Sequence, residues 1–312
     1  MDIAFCTDAN YAPYTGVAMT SIILNNIGEF LRFHVLYKEM NPDDYEKISS
    51  LEKIYRNVEI RFYQPDENAT PIKDFPINFY YSRVMYWRWL IPFVVLDPSI
   101  ERIFYLDGDI ICRGSLKELF ELDLGNYPVG AIGEKFYNEQ AQKLKLKSGL
   151  GFSSGVMLMD LDEWRKQQIT ERCFQIMYDR SSEFLMIDND AIVCVIDGNF
   201  LQLDHKFMHV ISCRSDFDYI IEPEDVIVHY VSACKPWRYD VVSENKDLWW
   251  EYARKSPWSD IKPFFDNVVI HTDYPILAAR WLRSKGRFEE AARFYEMCVA
   301  ILIQRVTALS AK

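Results

Sequence analysis

Apolar and polar positions change period along this chain in a regular order. Residues 2–7, 32–37 and 58–63 are short runs rich in β-branched and aromatic side chains, which reads as strands. Residues 18–27 and 43–55, between them, carry apolar side chains at helical spacing. The same reading predicts a helix over 81–96, a buried strand at 103–106 and strands at 129–133 and 155–161. It also predicts a long amphipathic helix over 162–179 and a short helix over 190–197. Strands alternating with helices predict a mostly parallel sheet covered on both faces, an α/β architecture. Residues 1–260 contain no low-complexity stretch and no internal repeat.

The tail follows another pattern. Ile276, Leu277, Trp281 and Leu282, then Phe288, Ala291, Ala292, Tyr295, Val299 and Leu302, recur at helical spacing on either side of Gly286, predicting a helical hairpin. Its wording resembles one tetratricopeptide unit, but such units need about three neighbours to bury their faces. The hairpin is therefore expected to pack on the body of the chain. The functional alternative is a membrane-surface or partner-docking element, which the +3 charge of residues 271–312 supports and exposure of Trp281 and Phe288 would support further.

Composition narrows the class. The chain has 312 residues, 49% of them hydrophobic, enough for a full core. It contains no apolar run of the roughly 18 residues that span a bilayer, and the N-terminus reads straight into a strand, so a cytoplasmic location is expected. Seven scattered cysteines without a C-x-x-C pair favour free thiols over a disulfide framework or zinc site. Net charge is −11; residues 271–312 hold seven Lys/Arg and four Asp/Glu, or +3, which leaves −14 on residues 1–270. So acidic a body repels nucleic acid, and takes up a nucleotide diphosphate only with a divalent cation in between.

The candidate chemistry starts at FYLDGDIIC, residues 104–112, where an apolar run ends in Asp107 and Asp109. Carboxylates beyond the carboxyl end of a buried strand suit Mg²⁺ or Mn²⁺; the bland alternative is a solvated turn around Gly108. Asp188 and Asp190 form a second pair in MIDNDAIVCVI, residues 186–196, where either could also cap a helix starting at Ala191. Asp8, Asn10 and Tyr11 follow the first strand, as a nucleotide site would or as an Asx turn would. Helical spacing puts Tyr81, Met85 and Arg88 on one face, and His229 lies in an apolar strand before Lys235, Pro236 and Trp237.

In this order, the motifs resemble the retaining glycosyltransferases of family 8, most closely bacterial lipopolysaccharide and lipooligosaccharide galactosyl- and glucosyltransferases. The resemblance covers residues 1 to about 258. It implies the GT-A architecture, Rossmann-like with a mostly parallel central sheet, over a catalytic domain of residues 1–262, with residues 263–312 as a C-terminal helical appendage. It further implies that Asp8, Asn10 and Tyr11 hold the uridine, with the ring of Tyr11 on the base. Arg88 and Gly108 would contact the donor, as would Ser153, which stands where the family often has asparagine. Asp107, Asp109 and His229 would bind the metal, with imidazole favouring Mn²⁺ over Mg²⁺, and Lys235 would hold the diphosphate.

The resemblance also has Asp188 bond donor-sugar hydroxyls and Asp190 face the reacting centre. Asn189 stands where the family usually has glutamine, and Ser232 where it commonly has glycine. The implied reaction moves galactose or glucose from a UDP-sugar to a saccharide or lipid-linked saccharide, such as a lipopolysaccharide core. No carboxylate in the motifs is an obvious nucleophile, so a same-face displacement with retained configuration is the simpler mechanism. Two alternatives come from other classes: a haloacid-dehalogenase-type phosphatase, read from the Asp107 triplet, and an inactive sugar-binding scaffold.

Overall fold

β1 (Asp2–Thr7) leads into α1 (Ala12–Asn25), β2 (Leu31–Tyr37), α2 (Pro42–Ile54) and β3 (Val58–Tyr63), the alternation expected from the apolar pattern. These three strands pair in parallel, β1 with β2 and β2 with β3. The chain then returns to the other side of β1. A 3₁₀ segment (Arg83–Leu90) and α3 (Ile91–Val94) bring it to β4 (Arg102–Leu106), parallel to β1. β5 (Ile110–Cys112), α4 (Lys117–Phe120), β6 (Val129–Lys135), α5 (Asn138–Leu144) and β7 (Leu150–Asp160) follow. After α6 (Leu161–Lys166), α7 (Ile169–Arg180) and α8 (Ile187–Ile196) come β8 (Leu201–Gln202), β9 (His209–Ile211) and β10 (Ile227–Tyr230). The last helices are α9 (Lys246–Lys255), α10 (Tyr274–Ser284) and α11 (Phe288–Ser310).

This computed structural model describes residues 1–77, 82–135, 138–211, 221–231, 235–263 and 274–310. It contains two units, the first made of Met1–His209, Pro223–His229 and Tyr252–Ser259, the second of Val210–Glu222, Tyr230–Glu251 and Asp260–Lys312. The main sheet lies in the first unit, with strand order β3-β2-β1-β4-β7-β6-β8. β7 runs antiparallel to both β4 and β6, and the other four pairings are parallel. Strand order reverses between β1 and β4, so their carboxyl ends open on a crevice of the kind where α/β proteins bind ligands. Beside it, β5 pairs antiparallel with β10, His229 facing Ile110 across the ladder.

Five elements differ from the sequence expectation; two differ in extent, α1 beginning at Ala12 rather than at residue 18 and β7 at Leu150 rather than at residue 155. The helix expected over 81–96 is a 3₁₀ segment followed by one short α-turn. Pro92 has no N–H for the carbonyl of Arg88 and its ring would crowd that carbonyl, so a continuous α-helix cannot pass. Tyr81 lies outside the described residues. The helix expected over 162–179 is two helices, because Gln168 takes a left-handed conformation (φ 52°) and Trp164 Nε1 bonds Thr170 Oγ1 across the bend at 2.9 Å. α8 begins at Ile187, so Asp188 and Asp190 lie inside its first turn and neither caps a helix starting at Ala191.

In the second unit, α10 and α11 share a core of Tyr274, Ala278, Ala279, Trp281, Leu282, Ala291 and Phe294. The hairpin turns at Gly286 (φ +74°), and the Arg287 N–H caps Leu282 O at 2.9 Å, a left-handed helix end that glycine adopts without strain. Trp281 is thus a core residue and lends no support to docking, while Phe288 is exposed. Among the described residues no helix is long and apolar enough to cross a membrane.

α1 packs so closely in the first unit that a Cβ on Gly16 would run into the ring of Trp258, which is anchored to Asp44 by Nε1 at 2.8 Å. Alanine in place of an interior helical glycine gains about 1 kcal/mol of propensity, whereas overpacking costs roughly 1–3 kcal/mol or more. Steric conflict with a large buried ring should win. Gly16→Ala is expected to lower stability in urea denaturation; an unchanged or raised midpoint would show that Trp258 moves aside freely.

Candidate active site

The crevice between β1 and β4 gathers side chains that are far apart in sequence. Asp107 directly follows β4, and its N–H bonds Gly155 O on β7 at 2.8 Å. Asp109 precedes β5, and His229 comes from β10. The His229 Nε2 lies 3.0 Å from Asp109 Oδ1 and 3.7 Å from Asp107 Oδ2. One ligand atom from each of the three residues lies within 4.8 Å of the others. For comparison, neighbouring ligands of an octahedral ion with bonds of about 2.1 Å sit about 3 Å apart.

The surroundings fit a cation. A Cβ on Gly155 would run into His229 Cε1 and Asp107 Oδ2, so glycine leaves room at the point where ligands converge. Gly108 is equally constrained: a Cβ there would strike Thr15 Oγ1 in the first turns of α1. Two carboxylates and an imidazole in a mostly buried cleft form a hard donor set with a net negative charge, suited to a divalent ion. Asp107, Asp109 and His229 are the residues that would hold it.

Arg88 is the second organiser of the site. Its Nη2 lies 3.1 Å from Asp107 Oδ1 and 3.2 Å from Asp188 Oδ2. Nη1 donates to Ser154 O at 2.9 Å and Ser154 Oγ at 2.8 Å, and Nε donates to Met85 O at 2.9 Å. The guanidinium also stacks 4.8 Å from the centre of the Tyr105 ring. Burial alone would weaken its charge, but Asp107, Tyr105 and Asp188 outweigh that and hold the pKa above its ordinary value. Arg88 is buried, with every nitrogen engaged by protein acceptors.

Around this pair, the other expected residues take specific places. Asp188 is buried beside Arg88; burial pushes its pKa up to about 6, with Arg88 opposing the rise and Asp107 adding to it. Asn189 Oδ1 accepts from the Ser154 N–H at 2.8 Å, which fastens α8 to β7. Asp190 Oδ2 accepts from the Leu185 and Met186 N–H groups at 2.8 and 2.9 Å, closing the start of α8. Its Oδ1 is buried with no hydrogen-bond partner among the described residues. Asp8 Oδ1 accepts from the Asn10 and Tyr11 N–H groups at 3.0 and 3.1 Å, the Asx turn of the alternative reading. Tyr11 OH reaches Asp109 Oδ2 at 3.1 Å.

Ser153 is half-buried on β7, but it is its neighbour Ser154 that joins Arg88 to Asn189. Lys235 belongs to the second unit, where its Nζ donates to Tyr230 O at 2.6 Å. Ser232 lies outside the described residues. The sequence reading missed Tyr105 and Gly155, which read there as plain strand residues, and Ser154, which precedes the strand expected at 155–161.

A family model described as glycosyl transferase family 8 matches residues 2–241. The lipopolysaccharide 1,2-glucosyltransferase of Escherichia coli strain K12 is 26% identical over 275 residues, 84% of this chain and 80% of that protein. The lipopolysaccharide 1,3-galactosyltransferase of Salmonella typhimurium strain LT2 is 27% identical over 271 residues, 83% of this chain and 79% of that protein. A crystal structure of the galactosyltransferase LgtC with donor and acceptor sugar analogs superposes with a TM-score of 0.71 at 24% identity. That likeness covers 82% of this chain and 96% of the other, and establishes the fold as GT-A with C-terminal helices.

Two predictions follow from the site geometry. Gly155→Ala should weaken Mn²⁺ binding by about 10-fold or more, the scale for displacing a ligand-orienting contact; unchanged affinity in a titration followed by electron paramagnetic resonance would refute the close packing. Asp188 titrates from about 6 in the folded protein, against 3.8 ordinarily. A raised carboxyl pKa favours folding while the group is protonated, and that contribution is lost as pH rises from about 4 to about 6. Metal-free wild-type protein should therefore lose stability relative to Asp188→Asn across that window, by on the order of 3 kcal/mol, and level off above it. A pH-independent difference in urea midpoints would contradict the shift.

Proposed function

The chain belongs to glycosyltransferase family 8, and from that premise we propose that it transfers galactose or glucose from a UDP-sugar to a saccharide hydroxyl with retention of configuration. The observation that carries this reading is the convergence of Asp107, Asp109 and His229 at the switch point between β1 and β4. When bound there, a divalent cation supplies charge neutralisation to the departing diphosphate. Manganese fits best, because one ligand is an imidazole.

The protein's own groups set the rest. Arg88 keeps a permanent positive charge beside Asp107 and Asp188, so the carboxylate of Asp188 can face sugar hydroxyls while held in one orientation. Tyr11 and Asp8 line the crevice beyond β1, where the uracil and ribose of the donor are expected. Asn189 spends one lone pair of its amide oxygen on β7; the other remains to face positive charge developing at the anomeric carbon. Asp190 has Oδ2 engaged at the start of α8 and Oδ1 buried, which argues against a covalent intermediate on it and for same-face displacement.

The lipopolysaccharide glucosyl- and galactosyltransferases among the relatives support a surface glycan, such as a lipopolysaccharide core, as acceptor. α11 exposes Val299, Leu302 and Ile303 at helical spacing, and Phe288 at its start, which supports peripheral contact with a lipid-linked acceptor at a membrane surface. Family membership sets aside the phosphatase alternative.

Screening UDP-sugars by UDP release is expected to show turnover of UDP-glucose or UDP-galactose that needs Mn²⁺ or Mg²⁺. Asp109→Ala should lower it by at least about 100-fold. Turnover persisting in excess chelator would reject the metal, a β-linked product by NMR would reject retention, and no turnover of any UDP-sugar would favour the inactive scaffold.

A further inference from the structure

Each carboxylate of the Asp107 triplet has one oxygen bound by a tyrosine and the other turned to His229. Tyr105 OH lies 2.6 Å from Asp107 Oδ1, the oxygen that also meets Arg88, while Asp107 Oδ2 faces His229. Tyr11 OH lies 3.1 Å from Asp109 Oδ2, while Asp109 Oδ1 faces His229. The same division of labour thus occurs twice, built from two unrelated elements. Tyr105 belongs to β4 itself, two residues before its partner, and Tyr11 is the N-cap of α1.

We propose that Tyr11 and Tyr105 are positioning residues that select which oxygen of each aspartate is presented to the metal. The proposal rests on the metal reading above and deepens it. A free carboxylate rotates about its Cβ–Cγ bond and offers either oxygen, or both, to a cation. A phenol donating to one oxygen stops that rotation and makes the ligand one-toothed, leaving coordination positions for other oxygens. A phenol, whose ordinary pKa is about 10, is a neutral O–H donor at neutral pH. Tyr11 has a further consequence. The ring assigned to the base of the donor carries the hydroxyl that sets Asp109, so nucleotide and metal are recognised through one side chain.

Metal-free protein can be titrated with Mn²⁺ alone, without donor, following the free-ion signal by electron paramagnetic resonance. Tyr105→Phe and Tyr11→Phe should each weaken Mn²⁺ affinity by about 10- to 100-fold, the range for removing an outer-shell partner of a ligand. The spectrum of the bound ion should also change in both, as the released carboxylate alters its coordination. Tyr86→Phe removes a comparable phenol bond, to Pro76 O at 2.6 Å, and should leave the affinity unchanged. Asp109→Ala is the control on the site itself. If it binds Mn²⁺ like wild type, the metal reading fails and this inference with it. If it loses Mn²⁺ while both phenylalanine variants keep wild-type affinity and spectrum, the metal reading stands and the inference is overturned. Should Tyr105→Phe fail to fold, Tyr11→Phe alone must show the loss.

Discussion

The ion pair of Arg88 with Asp107 and Asp188 is the contact on which the rest of the crevice depends. Three carboxylates, Asp107, Asp109 and Asp188, converge in a largely buried cleft, and without a counter-charge such a group would protonate or pull the structure apart. A guanidinium answers this with a planar fork that meets two carboxylates from one nitrogen and a strand carbonyl and hydroxyl from the other. A lysine could supply the charge but not the geometry. One cation against three anions still leaves the cleft negative, which gives a divalent ion its electrostatic reason to bind.

Arg88 reaches this position because the chain cannot form a straight helix there. The 3₁₀ turns before Pro92 bury Tyr86, Trp87 and Trp89 in the core under the sheet while bringing the guanidinium to β7 and the end of β4. The same strand order that makes the crevice, reversing between β1 and β4, lets loops after both strands contribute to it. The antiparallel insertion of β7 next to β4 then brings Ser154 and Gly155 to the carboxyl end of β4, which a wholly parallel sheet would not do.

This history explains what could be read from the sequence. Asp107, Asp109 and His229 stand out because each breaks an apolar run, but the pattern alone left a solvated turn open for the aspartates; the family resemblance, through the order of the motifs, is what joined the three into one site. The strands themselves were legible from composition, and β1 and β3 lie where expected. Tyr105, Ser154 and Gly155 were not, because their roles come from register: only the pairing of Leu106 with Val156 decides that Gly155 lies beside Asp107. The break at Gln168 was hidden for another reason. A left-handed turn without glycine or asparagine leaves no mark in composition, and only the buried Trp164–Thr170 bond reveals why the chain accepts it.

Asn189 shows how one shortened side chain redistributes such roles. Asparagine is one methylene, about 1.5 Å, shorter than the glutamine that the family resemblance leads one to expect. In this chain the amide ends at β7, where its oxygen takes the Ser154 N–H. Ser154 in turn accepts from Arg88, and Arg88 meets Asp107, so α8 is tied to the Asp107 carboxylate through a continuous series of polar contacts. α8 thus reaches Asp107 by two routes, from Asp188 through Arg88 directly and from Asn189 through Ser154. The second route depends on the short side chain of Asn189, whose amide oxygen stops at the Ser154 N–H.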